Sequence, residues 1–400
     1  MARSKPTHHG ATSLQRRRVV TAIAAAGALG MAPRLALAGS GAPGGNRFVL
    51  VILRGGMDGL GAAPAIGDPD YAAARGPLAN LGAAPLALDA TFALHPNLGE
   101  LHAMVRGGDA TTVHAVGLAY RGRSHFDAQQ VLESGATRPY ELQTGWLGRA
   151  LAASGQKGIA IATAVPLVLR SSAGVDTWAP SVLPDPSADL VARLERMYAP
   201  DPALATALER ARALHLDAPP PMGADGPAMA SSSAAGMVQR PGAFVALARR
   251  AAEFLAQPAG PQAAVLEIGG WDTHANQANP NGPLANNLRQ LDAGLAALRS
   301  GLDGAGVWRR TVVVVASEFG REVAVNGTLG TDHGSGGVVA DWPGLARDKR
   351  FEGRDLRATT DLRAILKGLL GDHLQVPSRV LERDVFPDSA NVRPLALLRA

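Results

Sequence analysis

The chain contains no cysteine among its 400 residues. Disulfide bonds and thiolate-bound metal ions are therefore excluded. Any metal ion in this protein has to be bound by oxygen atoms and imidazole nitrogens. No internal repeat is visible either, and the chain is long enough to bury one large hydrophobic core or two smaller ones.

Lysine is also scarce, with four residues, and basic side chains outnumber acidic ones only because of the N-terminus. The whole chain has 39 Lys and Arg and 34 Asp and Glu. Residues 1–38 contain six of the basic residues and no acidic one, so the rest of the chain has 33 basic and 34 acidic residues. The resulting net charge of −1 after residue 38 argues against binding to nucleic acid.

The apolar stretch near the N-terminus is too short and too mild for a comfortable membrane span. It covers residues 19–33, follows an arginine run at 16–18, and precedes the small-x-small pattern Ala-Leu-Ala at 36–38. Adjacent arginines before such a weak apolar core are typical of the twin-arginine pathway, which exports folded proteins. An ordinary secretory signal and an uncleaved anchor are the alternatives.

We therefore predict that residues 1–38 form a twin-arginine signal peptide and that residues 39–400 form a single domain. The twin-arginine translocase would be its partner during export. The mature protein would be periplasmic or secreted.

Continuous apolar runs without alternation predict strands that are buried on both faces of a sheet. Such runs occur at 47–53, 111–116, 159–163, 263–268 and 311–316. Apolar side chains with a helical period follow or separate them. The predicted helices cover residues 126–133, 244–255 and 284–302.

The last two apolar runs are separated by the longest predicted helix, at 284–302. This order predicts a βαβ unit with parallel strands, and the fold class is therefore α/β. Residues 217–242 are rich in Pro, Gly and Ala and predict a loop within the domain.

Polar side chains collect just after the predicted strands, where the functional residues of open α/β sheets lie. The sequence has only eight histidines after residue 38, and three of them belong to this set. Its members are Asp58, Ser124, His125, Asp272, His274, Glu318, Asp332 and His333. Carboxylates and imidazoles together suit Zn²⁺, Mn²⁺ or Ca²⁺, as one ion or as two ions about 3.5–4 Å apart.

Each of these residues also has an ordinary structural interpretation. Asp58 follows two glycines and is typical of a turn. Glu318 could form a surface ion pair with Arg321, and Asp332 could cap a helix beside a surface His333.

Ser124 is the candidate nucleophile, because it stands where a predicted strand passes into a predicted helix. A helix N-terminus favours a bound anion, and Arg121 and Arg123 could add charge-assisted hydrogen bonds to phosphate or sulfate. Alternatively, Ser124 is the helix N-cap, since Asp127 follows three residues later in an arrangement close to a capping box.

Motifs spread over nearly the whole chain after the signal resemble the family known as domain of unknown function 1501. They occur in the order expected for that family, together with the twin-arginine signal. The segments are LRGGMDGLGAAP (53–64), LHPNL (94–98), RSHFDAQ (123–129), GWLGRAL (145–151), GGWDTH (269–274), SEFGRE (317–322), GTDHGSGG (330–337), DWPGL (341–345) and TTDLRA (359–364).

The resemblance extends to the alkaline phosphatase and sulfatase superfamily, and it implies a three-layer fold with a mostly parallel sheet. It implies a metal-binding role for Asp58 and a nucleophilic role for Ser124. In the same site Arg123 would hold the ester, and His125 could be a metal ligand, could hold a substrate oxyanion, or could simply hydrogen-bond Asp127. The further metal ligands that it implies are Asp272, His274, Glu318, Asp332 and His333. It also implies that a second exported protein is a partner.

Two departures from the family pattern leave two functions open. Phe319 stands where the superfamily has a second histidine, and the segment at 337–341 is shorter than usual. The first hypothesis is an exported metal-dependent hydrolase of phosphate or sulfate esters, on a small molecule or a polysaccharide. The alternative is a non-catalytic exported binding or assembly protein that keeps the fold.

Overall fold

A computed structural model describes residues 45–180, 186–216, 242–334 and 342–398. The predicted signal peptide, the segment 337–341 and nearly all of the predicted loop at 217–242 lie outside these residues. Within the described part of the chain, no helix has the length and apolar character needed to cross a membrane.

The main sheet has five parallel strands, and the strand formed by the apolar run at 47–53 is the fourth of them, next to one edge. The strands are Arg47–Leu53 (β1), Leu86–Ala87 (β2), Ala93–Leu94 (β3), Val116–Gly117 (β4), Gly158–Ala160 (β5), Val175–Thr177 (β6), Ala263–Ile268 (β7), Thr311–Ser317 (β8) and Thr360–Asp361 (β9). The order across the main sheet is β6, β5, β7, β1, β8, with β1 hydrogen-bonded to both β7 and β8.

Helices pack on both faces of this sheet. The α-helices of the described residues are Gly59–Ala62 (α1), Tyr71–Arg75 (α2), Gly99–Arg106 (α3), His125–Ser134 (α4), Trp146–Ala153 (α5), Ala188–Tyr198 (α6), Pro202–Leu216 (α7), Ala243–Ala256 (α8), Pro283–Gly304 (α9), Leu362–Leu374 (α10) and Ser378–Val380 (α11). The leucine stripe of α9 forms because every third or fourth residue of a helix lies on the same face, and that whole stripe is buried.

The side chains of β1 alternate between two hydrophobic cores. Val49, Val51 and Leu53 pack with α8 and α9 on one face, whereas Phe48 and Ile52 pack with α5 and α10 on the other. This arrangement confirms the predicted α/β class, with three layers and a parallel sheet between helices. It is the arrangement that the alkaline phosphatase-like resemblance implies.

The predicted strand at 111–116 is wrong for most of its length. Residues 111–115 are irregular, and β4 pairs only with β9, in a small sheet separate from the main one. Ala115 has a positive φ of 55°, which interrupts an extended strand. The chain therefore enters α4 from a loop rather than from the main sheet.

Candidate metal centre

The candidate site lies after the carboxyl ends of β7, β1 and β8, which are neighbours in the sheet. Gly55 and Gly56 end β1 and have φ values of +123° and +65°, a region that favours glycine. A Cβ atom on Gly55 would lie 2.6 Å from the backbone nitrogen of Asp272. Gly55 therefore allows the loop after β7 to approach the loop after β1 closely, and Gly56 leaves room for the ring of Phe319 after β8.

Three imidazoles and one carboxylate meet at this edge. The Nε2 atom of His333 lies 3.0 Å from Nε2 of His125 and 2.9 Å from Nε2 of His274. The Oδ1 atom of Asp272 lies 3.5 Å from Nε2 of His125, 3.0 Å from that of His274 and 3.1 Å from that of His333. We call these four residues the ligand cluster.

The other ring nitrogen of each histidine has its own acceptor. Nδ1 of His125 donates to Glu318 at 2.8 Å, and Nδ1 of His274 donates to Asp332 at 3.0 Å. Nδ1 of His333 donates to the backbone carbonyl of Arg123 at 3.0 Å. Since each Nδ1 carries a proton, a neutral imidazole presents its Nε2 lone pair to the centre of the cluster.

Glu318 is fully buried and ionised. Burial by itself raises the pKa of a carboxyl group, but hydrogen bonds from His125, Gln129 and the backbone of Gly55 outweigh it and lower the pKa of Glu318 to about 2. The hydrogen bond to Glu318 is in turn the main cause that raises the pKa of His125. Glu318 therefore orients His125 as an outer partner of the cluster.

On the exposed side of the cluster, the carboxylate of Asp332 accepts a hydrogen bond from His274. Asp332 is half-exposed, and its pKa is lowered mainly by a hydrogen bond from Asn326, with His274 also contributing. For Asp272, burial opposes ionisation, but the guanidinium of Arg321 outweighs it and lowers the pKa of Asp272. Both acids therefore stay negatively charged next to the imidazoles.

Three of these residues, His125, Asp272 and His333, have the spacing of ligands to one transition-metal ion. With Zn²⁺–ligand bonds of about 2.0–2.1 Å, tetrahedral ligand atoms are about 3.3 Å apart. The contacts in the ligand cluster that converge on His333 and Asp272 range from 2.9 to 3.5 Å. Among the described residues, ligand atoms of His125, Asp272 and His333 all lie within 4.8 Å of one another. Three imidazoles suit Zn²⁺ or Mn²⁺ better than Ca²⁺, which prefers oxygen ligands.

Phe319 packs against this cluster. Its ring centroid lies 4.6 Å from that of His125 and 5.1 Å from that of His333. The phenyl ring covers one side of both imidazoles at the position where the family resemblance implies another histidine.

The structure places Asp58 and Glu318, both expected as ligands, in separate surroundings. Asp58 forms an ion pair with Arg75 and accepts a hydrogen bond from the amide of Gln277. Glu318 contacts His125 through Nδ1 and lies behind that ring. Neither carboxylate belongs to the group of ligand atoms that meets at Nε2 of His333.

Ser124 is the N-cap of α4, and its hydroxyl accepts a hydrogen bond from the backbone of Asp127 at 3.4 Å. The structural alternative for this serine is therefore confirmed, and a nucleophilic role is compatible with it. The guanidinium of Arg123 binds Glu352 and Asp355, at 3.0 and 3.1 Å. Its backbone carbonyl, rather than its charge, contacts the ligand cluster.

Several residues of the site were not expected from the sequence. Arg321 is buried and pairs with Asp272, whereas the sequence suggests a surface pair with Glu318. Gln129 lies one helical turn after His125, so helical spacing could have indicated that both reach Glu318. No local signal indicates Arg75 or Gln277, because they reach Asp58 across 17 and 219 residues, beyond the range of helical or strand spacing.

Comparison with known proteins agrees with the motifs. Residues 46–340 match the family described as "Protein of unknown function (DUF1501)". No curated protein matches the chain. Among solved structures, the chain is similar to the PsFucS1 sulfatase from Pseudoalteromonas sp., with 16% identity and a TM-score of 0.33. That similarity covers 92% of this chain and 73% of the sulfatase chain.

Proposed function

Since this chain belongs to the DUF1501 family of proteins of unknown function, we propose its activity from the metal centre itself. The protein is an exported metal-dependent hydrolase of phosphate or sulfate esters. His125, Asp272 and His333 bind the ion, His274 lies beside them with its Nε2 atom 2.9 Å from that of His333, and Ser124 is the nucleophile.

One observation carries this proposal: three Nε2 atoms face a single carboxylate oxygen while each Nδ1 is held by an acceptor. Neutral imidazoles arranged in this way bring lone pairs together, which is unfavourable unless a cation lies between them. The same pattern of outer acceptors orients histidine ligands in known metal sites. Such a site supports binding of Zn²⁺ first and Mn²⁺ second.

A bound divalent ion supplies charge to stabilise an ester oxygen and lowers the pKa of a hydroxyl near it. Ser124 is adjacent in sequence to the ligand His125, at the N-terminus of α4. The first backbone N–H groups of that helix favour an anionic group. Arg123 would hold the ester once its guanidinium exchanges Glu352 or Asp355 for the substrate anion.

The test combines metal analysis with turnover of 4-nitrophenyl phosphate and 4-nitrophenyl sulfate by the exported protein. Ser124→Ala should keep the metal and lower turnover by more than about a thousandfold, since the nucleophile is lost. Ser187→Ala is the matched control, because Ser187 caps α6 in the same way and lies in another part of the chain. Equal turnover in the two variants would contradict the proposed role of Ser124.

Export is tested separately, because residues 1–38 carry that part of the proposal. Replacement of Arg16 and Arg17 by lysine should retain the protein in the cytoplasm, since the twin-arginine machinery reads the arginine pair. Fractionation of cells that produce the two forms measures this. Unchanged export of the double-lysine form would contradict the twin-arginine route.

A non-catalytic exported metal-binding protein is the second candidate. Phe319 favours it, because the phenyl ring packs on His125 and His333 and offers no ligand atom. The hydroxyl of Ser124 is also engaged as a helix cap. Bound metal without turnover of either ester, in the wild-type protein, would support this function over the hydrolase.

A further inference from the structure

Asp58 is buried next to two side-chain hydrogen-bond donors. The residue is 1% exposed, and its Oδ2 atom accepts from both Arg75 and Gln277. Arg75 is itself fully buried and also donates to the carbonyl of Val323 at 3.0 Å. The negative charge of Asp58 is therefore already balanced by a positive charge from the protein.

The orientation of Gln277 is determined by two hydroxyl groups. Its Oε1 atom accepts from Thr273 and from Thr331, both at 2.7 Å. The amide nitrogen must therefore face Asp58 with its hydrogen atoms. A divalent ion at this carboxylate would have to lie against N–H groups from both Gln277 and Arg75, which repel a cation.

Arg321 fills the space between the loop after β1 and the ligand cluster. Its guanidinium donates to the carbonyls of Gly56 at 2.8 Å, Gly55 at 2.9 Å and Thr331 at 2.7 Å. The same group pairs with Asp272, and its side chain has no exposed surface. A fixed positive charge therefore contacts a proposed metal ligand on the side of the cluster that faces β1.

We propose that the centre binds one metal ion, and that Arg75 and Arg321 supply the positive charge that a second ion would otherwise bring. This inference rests on the proposed metal centre and determines its stoichiometry. Asp58 pairs with Arg75 and does not coordinate metal. A second ion at Asp58 would leave the guanidinium of Arg75 buried without its partner, which is strongly unfavourable.

The experiment measures metal content in the full exported protein. Metal-free protein is titrated with Zn²⁺, unbound ions are removed, and zinc per chain is determined by elemental analysis. The wild-type protein should retain one ion. Asp58→Asn should also retain one ion with an affinity within about threefold of wild type, since no ligand is lost. Asp272→Asn, which changes a proposed metal ligand in the loop after β7, should lose the ion.

Asp58→Asn leaves Arg75 unpaired and can impair folding, so the charge-balanced variant Asp58→Asn with Arg75→Met is measured alongside it. Circular dichroism establishes that each variant is folded. Two ions per wild-type chain would overturn the one-ion inference and leave the hydrolase proposal intact. If the wild-type protein binds one ion and a folded Asp58 variant binds none, the one-ion inference would be overturned as well. No bound ion in wild type would overturn both proposals.

Discussion

Asp58 and Asp272 follow neighbouring parallel strands of the same sheet, and their surroundings differ in almost every respect. Asp58 is buried and bound by the guanidinium of Arg75. Asp272 keeps 46% of its side chain exposed and contacts the Nε2 atoms of three histidines. The comparison shows that the position after a strand brings a carboxylate to this edge, whereas its partners determine whether it is available to a metal ion.

The largest expected effect is on zinc affinity and concerns Asp272, the member of this pair that contacts the histidines. Asp272→Asn removes the charged oxygen that lies among the three imidazoles, so zinc affinity should fall by more than the roughly 100-fold typical of a lost outer partner. Competition with a chelator of known affinity measures the change. Asp303→Asn, on the last turn of α9, is the matched surface control and should bind zinc normally. Unchanged affinity in Asp272→Asn would remove this residue from the ligand set.

For Asp58, the buried member of this pair, we predict that substitution lowers the stability of the fold and leaves metal binding intact. Asp58→Asn leaves a buried guanidinium unpaired and should lower the free energy of unfolding by about 3–5 kcal/mol. Urea unfolding of the metal-free protein measures it. Asp58→Asn combined with Arg75→Met should recover much of the loss, because neither charge is then buried alone. A double variant as unstable as the single one would contradict the ion-pair explanation.

Glu318 predicts a specific dependence of stability on pH. Its pKa in the folded protein is about 2, below the ordinary value of 4.5. A depressed pKa contributes stability that is present above pH 4.5 and lost as the pH falls from 4.5 towards 2, roughly 3 kcal/mol in total. Unfolding of metal-free wild type and Glu318→Gln at several pH values measures this. The variant should lack the corresponding loss, and parallel pH profiles would contradict the assignment.

The smallest expected effect is on zinc affinity and compares Glu318 with Asp332, the carboxylates that accept hydrogen bonds from His125 and His274. Glu318→Gln should weaken zinc binding by about 10–100-fold, because a buried charge that orients His125 is lost. Asp332→Asn should weaken it less, since the side chain of Asp332 is 53% exposed and water can replace its hydrogen bond to His274. Chelator competition compares the two variants. A larger effect at Asp332 would reverse the proposed importance of burial.

The sequence predicts the main sheet well where the apolar signal is strong and continuous. The predicted ranges 47–53 and 263–268 agree with the observed strands, and 311–316 is one residue shorter than β8. The range 111–116 was wrong, because an apolar run of that length forms a main-sheet strand only if another strand pairs with it. Pairing is a long-range property that the local pattern does not contain.

The candidate site was predictable in membership but not in arrangement. His125, Asp272, His274 and His333 are all strand-end or loop residues that the sequence singles out, and they meet in the structure. Glu318 and Asp58 have the same kind of position. Glu318 lies behind His125 and Asp58 faces Arg75, because the direction of a side chain depends on its packing partners.

The sequence by itself determined the residue types available for chemistry, with imidazole and carboxylate groups but no thiol, and the apolar runs that make the central parallel strands. Only the tertiary structure decided which of those groups share one point in space. The physical reason is that the strands are specified by local hydrophobicity, whereas the ligand cluster depends on contacts between residues that are distant in the chain, such as His125 with His333 and Arg321 with Asp272.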